Sequence, residues 1–351
     1  VPLLKNEAPL VGTGLEHVAA KNAGTVVAIL MQVPNQPLYD GLKEDALIAY
    51  TYERYYQDGG DDWPLLMPMT KSVVRAMDAL QGLAKERYEQ NIRQFVVGGG
   101  SKRGWTTWLT GASDKRVAAI IPMVIDVVNM EPQMKHQLRT YGRYSDMIDD
   151  YTKRGVQELM FTPRGRELLS IVDPYAYFDT LTMPKLVLLG TNDPYWCVDS
   201  ANLYFDELKG EKHLRYQPNA GHGLSLGVVP TVVGFYKSIL TGNKIPEYGW
   251  KRLDAGGLEV TWDCPGAHAA LWQARSSNRD FRKSEWTRTP LEGDGKVVVE
   301  MDAPEDGWKS YYVELTFPGR DGAPPCGLCT LMTVLPDTYP EHESAEDAKT
   351  E

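Results

Sequence analysis

From residue 25 to residue 244, short apolar runs of strand length alternate with stretches whose apolar side chains recur every three or four positions. The runs at 25–32 (TVVAILMQ), 95–97, 117–125, 185–189 and 212–216 predict strands. Helical spacing predicts helices over 9–24, 43–57, 67–91, 102–109, 200–208 and 228–240; in the third of these, Met69, Val73, Val74, Met77, Leu80 and Leu83 recur at that spacing. Strands alternating with helices imply a mainly parallel sheet with helices on both faces. Residues 129–182 break the rhythm with a long, polar, helical segment containing Tyr and Arg throughout, and are expected to form a lid over the carboxyl edge of the sheet. Near residue 245 the period changes. Runs at 257–262, 268–274, 296–301, 310–317 and 330–334 alternate apolar with polar, and turn signals such as Asp294-Gly295 and Pro318-Gly319 separate them. The pattern divides the chain into an α/β domain (1–244), an antiparallel β-sandwich (245–340) and an acidic tail (341–351) expected to be disordered.

Composition narrows the partners. With a net charge of −10 the chain lacks the basic balance that nucleic acid or an anionic membrane surface requires. Its longest apolar stretches are strand-sized, too short to span a bilayer. The first residue is Val1, and the opening segment VPLLKNEAPLVG lacks the basic start and continuous apolar stretch of a signal peptide. Of the four cysteines, Cys326 and Cys329 form a CxxC pair. Without a second pair or a paired histidine nearby, this reads as free thiols or a local disulfide ahead of a redox pair or half a zinc site. No cofactor or metal is expected, because no His, Cys and Asp cluster has ligand spacing.

Candidate chemistry concentrates at FVVGGGSKRGW (95–105). A strand runs into glycines, Ser101 follows, and a helix begins. That is the layout of a nucleophile elbow, in which a strained turn exposes the hydroxyl at the sheet edge. Glycine stands two before the serine (Gly99) and three after it (Gly104), with Arg103 where a G-x-S-x-G motif has its second glycine. A glycine-rich turn cradling a phosphate fits the string alone, but the Lys-Ser/Thr of a P-loop is missing. Two further segments favour the elbow. LVLLGTNDPYW (186–196) places Asp193 just past a strand, and LRYQPNAGHGL (214–224) does the same for His222. The order Ser101, Asp193, His222 is the nucleophile–acid–base order of α/β-hydrolases. In such a set His222 takes the hydroxyl proton, and Asp193 orients the imidazole and stabilises its cation. Asp199 is a rival acid, though better placed to cap the helix after it, and Asp126 is another. Trp105 and Trp108, three apart on one helix, read as core.

These segments, together with QVPNQPL (32–38), DWPLLMPMTKSVVRAM (62–77), GSKRGWTTWL (100–109), IPMVID (121–126), NAGHG (219–223) and RDFR (279–282), resemble the PhoPQ-activated pathogenicity-related protein family. The resemblance implies an α/β-hydrolase-like fold with an appended β-sandwich, and a secreted or periplasmic protein. The elbow is also similar to the G-C-S-R-x-G motif of glucuronoyl esterases, where the cation after the serine helps to hold the oxyanion. That likeness implies the same role for Lys102, whose alternative is an exposed helix-start residue. In α/β-hydrolases the second oxyanion donor follows the third strand. If 25–32 is the fourth strand, the third would precede Val1, and the chain is expected to be a fragment with an incomplete oxyanion hole. The expected function is a serine hydrolase, esterase ahead of peptidase, acting on a small-molecule or a carbohydrate- or peptide-derived ester. The alternative is an exported binding or signalling protein on the same scaffold. Lid residues Arg139, Arg143 and Arg154 would suit an acidic substrate, or simply face solvent.

Overall fold

The computed structural model describes residues 25–320 and 322–342. Its centre is a parallel sheet of β1 (Phe95–Gly100), β2 (Val117–Met123), β3 (Lys185–Gly190) and β4 (Lys212–Gln217), in that spatial order. Phe95 pairs with Val117 and Gly100 with Met123; Lys185 pairs with Lys212 and Gly190 with Gln217. The inner strands read as continuous apolar runs because both faces are covered. Ile120, Val187 and Leu189 enter a core shared with the helices, while Ala119, Ile121, Leu186 and Leu188 enter a second core on the opposite face.

Residues 25–32 do not form the expected strand. Val26, Val27, Leu30 and Met31 are exposed, and among the described residues β2 is the only neighbour of β1. A β-branched run becomes a strand only where another strand supplies its ladder and a face to pack on. The backward strand count from the elbow therefore has no strand to start from. The helix expected over 9–24 and most of the acidic tail lie outside the described residues.

Helices α1 (Glu44–Asp58), α2 (Leu66–Tyr88), α3 (Lys102–Ser113) and α8 (Val229–Thr241) lie close to their predicted positions. Over 129–182 the chain forms α4 (Met130–Tyr141), two short helices, α5 (Asp149–Thr152) and α6 (Val156–Met160), and α7 (Pro163–Val172). This segment buries Met130, Met134, Val156, Met160 and Leu168 in the first core, and buries polar side chains such as Gln133, Gln137 and Gln157 as well. The helix expected over 200–208 is instead two 3-10 turns, Ser200–Leu203 and Phe205–Glu207. Tyr204 interrupts them at φ −152°, drawn inward so that its hydroxyl donates to Asp126 Oδ1 at 2.6 Å.

The C-terminal strands form two antiparallel sheets. β5 (Tyr248–Arg252), β6 (Leu258–Trp262) and β9 (Lys296–Val299) make one. The other holds β7 (His268–Ser276), β8 (Thr287–Leu291), β10 (Trp308–Phe317), β11 (Cys326–Cys329) and β12 (Thr333–Leu335). Val260 and Val297 from the first sheet meet Leu271, Val313 and Leu315 from the second, in the core that also covers β2 and β3. Alternation predicted β6, β7, β9 and β10 but missed β5, β8, whose TRTPL is polar and exposed, and the CGLC strand itself. Cys326 and Cys329 are buried free thiols, raised to about 12 by burial.

Candidate active site

The turn between β1 and α3 carries Ser101 at φ 56° and ψ −131°, a backbone conformation strained for a residue with a side chain. Two glycines make it possible. A Cβ on Gly99 would lie 2.6 Å from the Arg103 carbonyl oxygen, and one on Gly104 would lie 2.7 Å from Ile125 Cγ2 and 2.9 Å from the Gly99 oxygen. Gly100 has no such constraint, since its nearest neighbour would be 3.9 Å away. The offsets minus two and plus three are thus a steric requirement of strand and helix crossing at this turn. Ser101 sits at the N-terminus of α3, where backbone N–H groups favour negative charge.

Ser101 Oγ lies 2.8 Å from His222 Nε2, and His222 Nδ1 lies 2.9 Å from Asp193 Oδ2. The three side chains come from loops that follow β1, β3 and β4, at the carboxyl ends of the strands. Asp193 is buried and also accepts from the Tyr195 N–H at 2.9 Å. The Tyr195 ring stacks on His222 with centroids 4.1 Å apart. The Asp193 and His222 loops run against each other at Gly190, where a Cβ would meet the Ala220 and Gly221 oxygens at 2.4 and 2.6 Å. Tyr195 carried no signal in the sequence beyond following the acid in GTNDPYW.

Lys102 is buried rather than exposed, and its Nζ lies 2.9 Å from both Glu44 Oε2 and Asp45 Oδ2 at the start of α1. Arg103 forks onto Glu44 at 2.5 and 2.8 Å and donates to the Val33 carbonyl at 2.8 Å. The Arg103 guanidinium, helped by Gln36 and Lys102, holds the Glu44 carboxyl far below the usual range. This acidic pair on α1 was invisible in the sequence, because nothing local relates residues 44–45 to the elbow.

The other candidate acids do different work. Asp126 is buried against Tyr204, and burial pushes its carboxyl up to about 7. Asp199 does not cap the following turn. It accepts from Arg279 Nη2 at 2.9 Å and faces His136 Nε2 at 2.7 Å. Burial alone would lower the His136 imidazole, but the Asp199 carboxylate overrides it and raises it to about 11. Arg279 opens the RDFR segment, and the loop it begins reaches the acid and base loops. Asn192 donates to the Ser284 carbonyl at 2.7 Å, and Asn219 exchanges two bonds with the Trp286 backbone.

Beside Ser101 opens a cleft with about 600 Å3 of empty space, part of it open to solvent. Trp105 on α3, Tyr52 on α1 and Met134 and Met160 of the 129–182 segment line it. That segment is tied to the acid loop by bonds from Gln137 to the Tyr195 carbonyl and from Ser145 to the Pro194 carbonyl, at 2.9 and 2.7 Å. Trp105 is a core residue and a cleft wall at once, whereas Trp108 is fully buried. Arg139, Arg143 and Arg154 do not line the cleft; they lie over the Tyr339 ring, beside Asp146 and beside Glu53. Among the described residues no group of three His, Cys, Asp or Glu could hold a metal ion, and no helix is long and apolar enough to cross a membrane.

Strand, glycine turn and helix, with Asp193 and His222 after later parallel strands, make this an α/β-hydrolase-like fold. The sequence profile of PhoPQ-activated pathogenicity-related proteins matches residues 9–282. The chain belongs to that family. Autocrine proliferation repressor protein A of Dictyostelium discoideum is 33% identical to this PhoPQ-related chain over 340 residues, covering 86% of it and 68% of the relative. Solved structures with a similar arrangement include an acetyl xylan esterase from Paenibacillus sp. R4, with 15% identity and a TM-score of 0.37, covering 48% of this chain and 53% of that one. Puromycin hydrolase gives 15% identity and a TM-score of 0.36, covering 51% of this chain and 25% of that one. The chain thus matches about half the length of the first and a quarter of the second.

Proposed function

We propose that this protein is a serine hydrolase that transfers an acyl group from an ester, or less readily an amide, to water. The observation that carries the reading is the unbroken chain from Ser101 Oγ through His222 to Asp193, at 2.8 and 2.9 Å, beside an open cleft. His222 Nε2 takes the hydroxyl proton as Ser101 Oγ bonds to the carbonyl carbon, then returns it to the departing alcohol. Water, deprotonated by the same nitrogen, releases the acid and restores Ser101. Asp193 fixes the tautomer with the proton on Nδ1 and stabilises the cation formed in each step. The oxyanion falls to the Lys102 backbone N–H at the helix start, assisted by the Lys102 ammonium. Glu44 and Asp45 act on that ammonium as a clamp, holding a flexible side chain in one place.

A fluorophosphonate probe tests the reading. It is expected to label the full chain at Ser101 and to leave Ser101→Ala unlabelled; absence of label on folded protein would leave the scaffold without this chemistry. The relative's name, a proliferation repressor, favours the second reading in that case: a binding or signalling protein on a hydrolase scaffold. Lys102→Arg should retain more activity than Lys102→Ala, and equal, undiminished rates for both would remove the lysine from the mechanism. Secretion or a periplasmic location belongs to the same proposal and rests on the family resemblance; fractionating cells that express the natural gene tests it.

A further inference from the structure

The cleft is more specific than its opening suggests. We propose that it takes an uncharged, flexible aliphatic chain, and that the substrate is an ester whose acyl half carries that chain. The proposal rests on Ser101 being the nucleophile and adds the substrate class.

Three arguments carry it. The first is the wall. Met130, Met134 and Met160 all line the cleft, all are at least nine-tenths buried, and Trp105, Ile125 and Val156 stand among them. Three thioethers in one apolar wall suit a ligand of variable shape, because methionine adapts its side chain at little cost. The second is charge. The two charged side chains on the wall besides the triad, Asp45 and Lys102, lie 2.9 Å apart and neutralise each other. The five arginines of the 129–182 segment all meet other partners. Apart from the oxyanion that the Lys102 ammonium meets at Ser101, a charged group entering this space would lose its hydration with no free partner. The third is direction. The cleft is only partly open to solvent, so a chain packed against the buried methionines is best carried by the half that stays bonded to Ser101 while the alcohol leaves. The chain therefore belongs to the half that stays bonded to Ser101 Oγ. Reaction with water then yields a free fatty acid, with the alcohol already released carrying the proton from His222.

The test uses the full chain and four ester substrates: methyl butyrate, methyl octanoate, octyl acetate and monomethyl succinate. The expected result is that kcat/KM rises from butyrate to octanoate by up to about fourfold per buried methylene. Octyl acetate should fall well below methyl octanoate, and the succinate ester should be the poorest. Met134→Trp, which fills the cleft, should move the optimum to shorter chains. A flat dependence on chain length, a preference for the succinate, or octyl acetate as the best substrate would each overturn the proposal while leaving the hydrolase reading intact. A second measurement separates the two readings: binding of octanamide to Ser101→Ala, followed by calorimetry. Saturable binding without turnover of any ester by the unaltered protein would keep the chain-binding cleft and overturn hydrolysis. Neither binding nor turnover would overturn both.

Discussion

Ser101 holds a left-handed backbone because Gly99 and Gly104 leave room for strand and helix to cross beneath it. Gly104→Ala would press a methyl to 2.7 Å from Ile125 and 2.9 Å from the Gly99 oxygen. Overpacking of this kind costs about 1–3 kcal/mol. The variant should unfold at lower denaturant and, if folded, lose reactivity at Ser101 toward fluorophosphonate; unchanged stability would mean that the elbow relaxes freely. Asp126 gives a pH prediction. Its folded carboxyl titrates at about 7, against about 3.9 for an unperturbed aspartate. A folded value above the unfolded one means that its contribution is fully present below about pH 4 and is lost as pH rises through about 7. Asp126→Asn removes that titration and keeps an acceptor for Tyr204. Its stability relative to the unaltered protein should therefore increase between those limits. A difference that stays constant with pH, followed by urea unfolding, would rule out a buried, reluctant carboxyl.

At the scale of elements, the loop from Arg279 to Trp286 joins the C-terminal sheets to the site. Arg279 meets Asp199 and Thr140, the backbone at Arg282 and Ser284 receives Asn192, and Trp286 is paired with Asn219. Arg279 gives Asp199 a buried charge-assisted hydrogen bond, worth about 1.5–3 kcal/mol, and His136 keeps the carboxylate paired once it is removed. Arg279→Leu should therefore destabilise the protein by that order, measured by chemical denaturation, while an exposed pair such as Arg143 with Asp146 should matter by less than about 1 kcal/mol. Similar losses for the two would deny this loop its role as a fastening. The RDFR string stood out in the sequence only as a resemblance. Its physical reason is that its arginine and its backbone reach two loops far away along the chain.

For the whole molecule, the parallel sheet is covered on one face by helices and on the other by α8 and the antiparallel sheets. Ala119, Ile121, Leu186 and Leu188 would lose part of that cover if the chain ended after α8. A protein truncated there should lose its near-ultraviolet circular dichroism and its cooperative unfolding. A truncated form that melts cooperatively would instead mark residues before 245 as an independent unit.

Local pattern was enough for the order and type of most elements, because the period of apolar positions reports directly which faces are buried. It was enough, too, to single out Ser101, Asp193 and His222, since each follows a strand and the elbow needs small residues at fixed offsets. It failed where the outcome depended on a partner distant in sequence. Residues 25–32 look like a strand and have no strand to pair with among the described residues; residues 200–208 look helical and are broken by the pull of Tyr204 toward Asp126. The clamp of Glu44 and Asp45 on Lys102, the recruitment of Asp199 by His136 and Arg279, and the methionine walls of the cleft are decided only when the chain is folded. Charge pairing and cavity shape are properties of neighbours in space, and a one-dimensional pattern records neighbours only along the chain.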